Sequence, residues 1–213
     1  MLEQRVRHHY QTFLVEPLAH RLTHRISPNT MTILSGALGI LVFPALFYGH
    51  RGLAIELLLL SGYCDTLDGA LARHNQTATS WGSVLDIMID RLVELTVVLA
   101  LYSVDPSYRG LGCIIMLGSM LLCITSFLVV GIFTENQSHK SFHYSPGVME
   151  RAEAFIFFIA MMLVPSAFIY LAILFSVLVL MTAVIRLHQF YKQLTGLESC
   201  DYPNEPSEEY RGT

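Results

Sequence analysis

The chain is dominated by apolar runs that are long enough to cross a lipid bilayer. Six of them stand out, at about residues 31–48, 53–73, 83–104, 111–134, 148–164 and 167–191. A helix crosses the hydrocarbon core with roughly 20 apolar residues and satisfies its backbone polar groups internally. Only 14% of the residues are charged, against about 25% in soluble domains. The sequence therefore predicts an all-α, polytopic membrane protein with six transmembrane helices.

The two ends of the chain differ from this central region. Residues 1–28 alternate basic residues and histidines with Leu, Phe and Val, which predicts an amphipathic juxtamembrane helix on the membrane surface. The same segment lacks the apolar core of a signal peptide. Residues 29–193 are expected to form the six-helix membrane domain. Residues 194–213 are polar and contain prolines, so we expect a disordered cytosolic tail.

The positions of the basic residues predict the orientation. If the N-terminus is cytosolic, only Arg51 and Arg109 of the 13 Lys and Arg residues lie outside. Cytosolic loops carry an excess of such residues. Together with the lack of a targeting segment, this pattern favours a bacterial inner (cytoplasmic) membrane, with the unusual polar residues facing the cytosol.

Two acidic pairs interrupt the second and third apolar runs. Asp65 and Asp68 are three residues apart, and Asp86 and Asp90 are four apart, so each pair shares one face of a helix. Four unpaired carboxylates near lipid would repel one another. Divalent cations that prefer oxygen ligands, such as Mg²⁺, Mn²⁺ or Ca²⁺, remove this penalty. Four carboxylates suit a pair of cations about 3.5–4 Å apart, as in phosphoryl-transfer sites.

Three further residues beside the acids indicate a phosphate ligand. Gly69 and Gly82 lack a Cβ, so a phosphate or another backbone can approach them closely. Arg73 lies one helical turn after Gly69 and can pair with a phosphate through two hydrogen bonds. Two cations and an arginine at this place predict a polyphosphate substrate.

The complete pattern reads D-x-x-D-G-x-x-A-R, eight residues, then G-x-x-x-D-x-x-x-D. It resembles the signature of the CDP-alcohol phosphotransferase family, also called CDP-alcohol phosphatidyltransferases. The sequence PNTMT at residues 28–32 resembles the P-N-x-x-T that precedes the first span in that family. Six spans after a surface helix also agree with the family fold. The fixed positions of the signature are all present: Asp65, Asp68, Gly69, Ala72, Arg73, Gly82, Asp86 and Asp90.

The resemblance implies an enzyme that transfers a phosphatidyl group from CDP-diacylglycerol to the hydroxyl of a small alcohol and releases CMP. It implies two divalent cations, Mg²⁺ or Mn²⁺, held by Asp65, Asp68 and Asp86, with Asp90 on the second cation. Asp90 would also be the general base toward the acceptor hydroxyl.

The resemblance also assigns a nucleotide pocket. Its expected residues, which would contact the CDP moiety, are Gly69, Arg73, Gly82, Asn29 and Thr32. The implied partners are CDP-diacylglycerol, a small alcohol and membrane lipid, with no nucleic acid. Family members are often dimeric, so the resemblance allows a homodimer.

The acceptor is less well specified. Members that use amino alcohols resemble one another in a histidine after the third aspartate, where this chain has Ile87. The Lys-rich stretch of glycerol-phosphate members is replaced by SPGVMERAEAFIFF at residues 145–158. The E-R-x-E pattern at residues 150–153 and Arg91 after the last aspartate are similar to inositol- and inositol-phosphate-using members. We expect an inositol-type polyol or polyol phosphate, with glycerol 3-phosphate as the alternative.

Two later arginines are candidates for contact with an acceptor phosphate. In inositol-phosphate members, arginines on the later spans have this role, and Arg151 and Arg186 fall at comparable places. An arginine within a span is costly without an anionic partner. The alternatives are that these side chains reach the lipid headgroups, or that Arg186 pairs with Glu150 or Glu153.

A cation transporter or channel is the alternative from another functional class, because acidic residues within spans also mark ion pathways. Transporters place such residues near the midplane on interrupted helices. Here the acids lie toward the ends of their runs beside Arg73, which would repel a cation. The sequence therefore favours the enzyme.

Overall fold

The computed structural model describes residues 15–22, 26–75, 79–135, 149 and 151–198. Its described part contains helices and no strands, which confirms the all-α prediction. The described residues form seven α-helices, with a 3₁₀ turn at Pro165–Ala167 before the last: α1 Glu16–Leu22, α2 Pro28–Phe47, α3 Arg51–Asn75, α4 Ser80–Val104, α5 Pro106–Glu135, α6 Arg151–Leu163 and α7 Phe168–Glu198.

Within the part of the chain that the structure describes, three segments are long and apolar enough to cross a membrane: Pro28–Phe47, Pro106–Phe133 and Pro165–Thr195. These correspond to the first, fourth and sixth predicted spans. Helices α3 and α4 carry the acidic pairs, and α6 has only 13 residues. Six spans therefore stay a prediction. The proposed amphipathic helix over residues 1–28 is described only from Val15 to Leu22 and from Ile26 onward, and the tail lies largely outside the described residues.

Side-chain caps fix the starts of α2 and α4. Ser27 Oγ accepts a hydrogen bond from the Thr30 N–H at 3.2 Å, and Pro28 occupies the first turn of α2. Thr79 Oγ1 accepts from the Gly82 N–H at 3.0 Å at the start of α4. Such caps satisfy N–H groups that have no partner inside the helix. Asn29 and Gly82 are thereby held in the first turns of their helices.

The chain divides into two units. The first comprises residues 1–118 and 150–176, and the second comprises residues 119–149 and 177–213. In the first unit, α2 packs against both α3 and α4, and α6 contacts the same two helices. The two helices that carry the acidic pairs are therefore both held by α2 and α6.

Glycines allow the close approach of α2 to α4. A Cβ added at Gly39 would lie 2.5 Å from Val93 Cγ2, and one at Gly36 would lie 2.8 Å from Ile89 Cγ2. Contacts this short are not tolerated in packed interiors, so the two glycines set the distance between these helices. Ile89 is next to Asp90, and the packing therefore also fixes the acidic end of α4.

Helix α1 packs against the part of α3 that carries the first acidic pair. Val15 and Ala19 form a buried cluster with Met31 of α2 and with three residues of α3, namely Leu67, Ala70 and Leu71. These α3 residues lie immediately before and after Asp68 and Gly69. The apolar face of α3 is thus covered by α1 and α2.

Candidate active site

Three of the four aspartates converge. Each of Asp65, Asp68 and Asp86 offers a carboxylate oxygen, and these oxygens all lie within 4.8 Å of one another. Asp86 Oδ1 is buried and accepts no hydrogen bond from the described residues. Three carboxylates this close, one with an unpartnered buried oxygen, need a positive charge to offset their repulsion. An all-oxygen ligand set of this kind suits Mg²⁺ or Mn²⁺.

Thr32 positions one of these carboxylates. Its Oγ1 donates a hydrogen bond of 2.6 Å to Asp68 Oδ2, and the two residues are only 4% and 7% exposed. This bond orients Asp68 and leaves its other oxygen for a ligand. The sequence suggested Thr32 for the CDP pocket, whereas the structure shows its contact with a predicted cation ligand.

The other predicted nucleotide-pocket residues lie in two pairs. A Cβ added at Gly82 would lie 3.3 Å from Asn29 Oδ1, so Asn29 is next to Gly82. A Cβ added at Gly69 would lie 3.5 Å from Arg73 Nη1. Arg73 is exposed. Each glycine thus presents bare backbone beside a polar side chain, an arrangement that can receive a phosphate.

Asp90 lies outside the three-carboxylate cluster and forms an ion pair with Arg151. Nη1 of Arg151 contacts both Asp90 Oδ1 and Asp65 Oδ1. The guanidinium also lies over the Phe155 ring, 5.4 Å from its centroid. Arg151 therefore joins an aspartate of α3 to one of α4. The sequence suggested Arg151 for the acceptor phosphate and did not predict these ion pairs.

A second ion pair follows Asp90 along α4. Arg91 Nη1 lies 2.5 Å from Glu94 Oε2, and Glu94 is 6% exposed. Glu94 is four residues after Asp90, so both carboxylates lie on the same face of α4. Sequence reasoning assigned Glu94 no ligand role. Its burial became apparent only once the helix was packed.

Arg186 belongs to the second unit. Its Nη1 donates to the Cys123 carbonyl oxygen at 3.2 Å and to Ser126 Oγ at 3.3 Å. The guanidinium lies 5.2 Å from the centre of the Phe127 ring. Neutral acceptors and an aromatic face therefore hold this cation within a long apolar helix. Glu150, suggested as an alternative partner, lies outside the described residues.

Comparison with known proteins identifies the family. The family model described as CDP-alcohol phosphatidyltransferase matches residues 25–189. The chain belongs to the CDP-alcohol phosphatidyltransferase family. It is accordingly a phosphatidyltransferase and an integral membrane protein of phospholipid synthesis. Enzymes of the family use CDP-linked alcohols and depend on divalent cations.

Individual relatives agree with this assignment. The inner membrane protein YnjF of Escherichia coli (strain K12) is 30% identical over 196 residues, which cover 86% of this chain and 95% of the relative. A protein named phosphatidylinositol phosphate synthase, from Mycobacteroides abscessus, is 29% identical over 69% of this chain and 67% of its own length.

The fold is shared with the phosphatidylinositol phosphate synthase of Mycobacterium tuberculosis. Its structure with CDP-DAG bound has a TM-score of 0.68 and 21% identity, and the match covers 94% of this chain and 98% of that one. A second structure of that protein, in complex with manganese and citrate, also has a TM-score of 0.68 and 21% identity; the match covers 94% of each chain.

Proposed function

We propose that this enzyme transfers the phosphatidyl group of CDP-diacylglycerol to a hydroxyl of inositol or an inositol phosphate, with release of CMP. The observation that carries the proposal is the convergence of Asp65, Asp68 and Asp86 from two helices. Arg73, which is exposed, lies beside Gly69, and Arg151, which is largely buried, contacts two of the motif aspartates.

The aspartates fit a pair of divalent cations. Asp65, Asp68 and Asp86 would hold them, and Asp90 would contact the second. When bound, such cations neutralise the charge of the pyrophosphate and stabilise the departing CMP. The M. tuberculosis protein, whose fold this chain shares, has been solved with manganese, which supports the choice of Mg²⁺ or Mn²⁺.

Asp90 is the proposed general base. As it takes the proton from the acceptor hydroxyl, the acceptor oxygen forms a bond to the phosphorus that carries the diacylglycerol. The bond between that phosphorus and the oxygen bridging to CMP then breaks, and CMP leaves with the electron pair. A positioned carboxylate typically contributes about 10²–10⁴-fold to such a step.

The nucleotide would lie beside the two glycines. Arg73 next to Gly69 can bind a phosphate oxygen, and Asn29 next to Gly82 offers an amide. Thr32 supports this region through Asp68. The M. tuberculosis structure with CDP-DAG bound supports a CDP-linked lipid as the donor.

An inositol-type acceptor is supported by relatives that are named phosphatidylinositol phosphate synthase. The E-R-x-E pattern and Arg91 support it from the sequence. Arg151 is the proposed contact for an acceptor phosphate, and the same role for Arg186 stays a prediction from the sequence. Glycerol 3-phosphate is the alternative acceptor.

The proposed arrangement in the membrane is six spans with the site facing the cytosol of a bacterial cell. The apolar helices and a relative named as an inner membrane protein support the location. The homodimer that the family resemblance allows stays a prediction, which a mass measurement by light scattering in detergent can decide.

A panel of acceptors tests the proposed reaction. Purified protein is incubated with CDP-diacylglycerol, Mn²⁺ and, in turn, inositol, inositol phosphate, glycerol 3-phosphate or serine, and the lipid products are identified by mass spectrometry. We expect a phosphatidylinositol-type product. A product with glycerol 3-phosphate alone would show that the inositol assignment is wrong.

A further inference from the structure

Arg151 places a positive charge between two of the motif aspartates, Asp65 and Asp90. Its Nη1 contacts one oxygen of Asp65 and one of Asp90. Asp65 belongs to the three-carboxylate cluster, and Asp90 is the remaining aspartate of the motif. The side chains of all three residues are largely buried, where charges interact more strongly than in water. A single guanidinium therefore neutralises part of an acidic site proposed for divalent cations.

A guanidinium and a divalent cation that approach the same carboxylate oxygens repel each other. A divalent cation at these oxygens of Asp65 and Asp90 therefore competes with the guanidinium for them. The displaced charge then needs another anion, because an unpaired charge in a buried place costs several kcal/mol. How strongly that anion binds Arg151 decides how readily Asp65 and Asp90 become available to a divalent cation.

Glu94 is suited to receive Arg151. It is buried and lies one helical turn beyond Asp90, which Arg151 contacts, on the same face of α4. Nη2 of Arg151 is buried and donates no hydrogen bond to the described residues, so this guanidinium has a donor left for a further carboxylate. Arg91, which is partly exposed, already pairs with Glu94 and would share it.

We propose that Arg151 competes with the divalent cation for Asp65 and Asp90, and that Glu94 is a positioning residue that holds Arg151 when the cation binds. This inference rests on the cation site of the proposed function. It makes cation affinity depend on a residue that is not itself a ligand, and it assigns a purpose to a buried glutamate outside the family motif.

Direct Mn²⁺ binding tests the competition without any turnover. The full-length protein in detergent is titrated with Mn²⁺, and free Mn²⁺ is measured by its electron paramagnetic resonance signal, with no nucleotide present. We expect Arg151→Gln to lower the Kd for Mn²⁺ by roughly tenfold, a size typical of coupling between two ligands. Arg151→Lys, which keeps the charge, should fall between this variant and the wild type. Arg51→Gln, which removes an exposed charge at the start of α3, should stay close to the wild type because water and salt screen that charge.

A double-mutant cycle tests Glu94. Glu94→Gln alone should raise the Kd for Mn²⁺, since Arg151 then remains on the aspartates. In the Arg151→Gln background, the same substitution should have no further effect, because the cycle isolates the coupling between the two residues. A through-space effect of the lost carboxylate would instead persist in both backgrounds.

The Mn²⁺ titrations test the competition by Arg151 and the positioning role of Glu94 separately. An unchanged or raised Kd in Arg151→Gln, with the protein still folded by circular dichroism, would overturn the competition and leave the proposed function standing. If Arg151→Gln does not fold, Arg151→Lys provides the test. Its Kd for Mn²⁺ must then be lower than that of the wild type. A Glu94→Gln effect that persists without Arg151 would overturn the positioning role. Absence of Mn²⁺ binding in every variant would overturn both the cation site and this inference.

Discussion

At the scale of single residues, Asp90 differs from Asp86 in its surroundings. Neither Asp90 Oδ1 nor Asp86 Oδ1 accepts a hydrogen bond from the described residues, but Asp90 Oδ1 lies in an ion pair with Arg151. The ion pair with Arg151 thus distinguishes Asp90, the proposed base, from Asp86, a proposed cation ligand. Both aspartates lie on one face of α4.

Replacement of Asp90 separates binding from chemistry. We expect Asp90→Asn to keep the affinity for CDP while CMP release falls by roughly 10²-fold or more, because asparagine cannot take the acceptor proton. Calorimetry with CDP and a turnover assay measure the two quantities. The matched control is Ser83→Ala, an exposed position on the same helix. Equal loss of binding and turnover would argue against a base.

Residue spacing was enough to predict that carboxylates of the two acidic pairs approach one another, although Asp90 lies outside the three-carboxylate cluster. Helical periodicity places Asp65 near Asp68 and Asp86 near Asp90, and mutual repulsion calls for cations. It was not enough to predict the contacts of Arg151, because 61 positions separate Arg151 from Asp90 and no local pattern specifies which helix packs beside them. Thr32 was singled out for the nucleotide, and its bond to Asp68 likewise depends on the packing of α2.

At the scale of helices, α2 organises the site although it supplies none of its acids. Both acid-bearing helices pack on it, and Gly36 and Gly39 allow α4 to approach. The sequence identified α2 as an apolar span. It could not show which helices α2 contacts, since its residues are apolar on all sides.

A methyl group at Gly39 tests this packing. We expect Gly39→Ala to destabilise the protein by about 1–3 kcal/mol, as is typical of overpacked cores, and to weaken Mn²⁺ binding because α4 is pushed away. Gly118→Ala is the matched control, since a Cβ there would meet nothing within 4 Å. Thermal unfolding in detergent and the Mn²⁺ titration measure both effects. Equal behaviour of the two variants would contradict the role of Gly39.

At the scale of the whole molecule, the distribution of charge supports an orientation. Only Arg51 and Arg109 fall on the side predicted to be outside. Arg109 is buried, donates to the Leu101 carbonyl oxygen at 3.2 Å and lies over the Phe168 ring. The membrane-spanning character could be predicted from composition, whereas the number of spans depends on how α3, α4 and α6 sit in the bilayer.

Cysteine labelling tests the six-span topology. In a background without the native cysteines, we expect His50→Cys to react with an impermeant maleimide in intact cells. Ser80→Cys, at the start of α4, should react only after the membrane is permeabilised. Labelling of Ser80→Cys in intact cells would place the acidic site on the outer side and contradict the predicted orientation.

The central claim is that carboxylates from α3 and α4 form a cation-dependent phosphatidyltransferase site. The most direct measurement is CMP release from CDP-diacylglycerol by the purified protein with Mg²⁺ or Mn²⁺ and an inositol-type acceptor, compared with EDTA and with Asp86→Asn. We predict release by the wild type, and background levels both with EDTA and in the variant. Release that continues unchanged in EDTA or in Asp86→Asn would contradict the account.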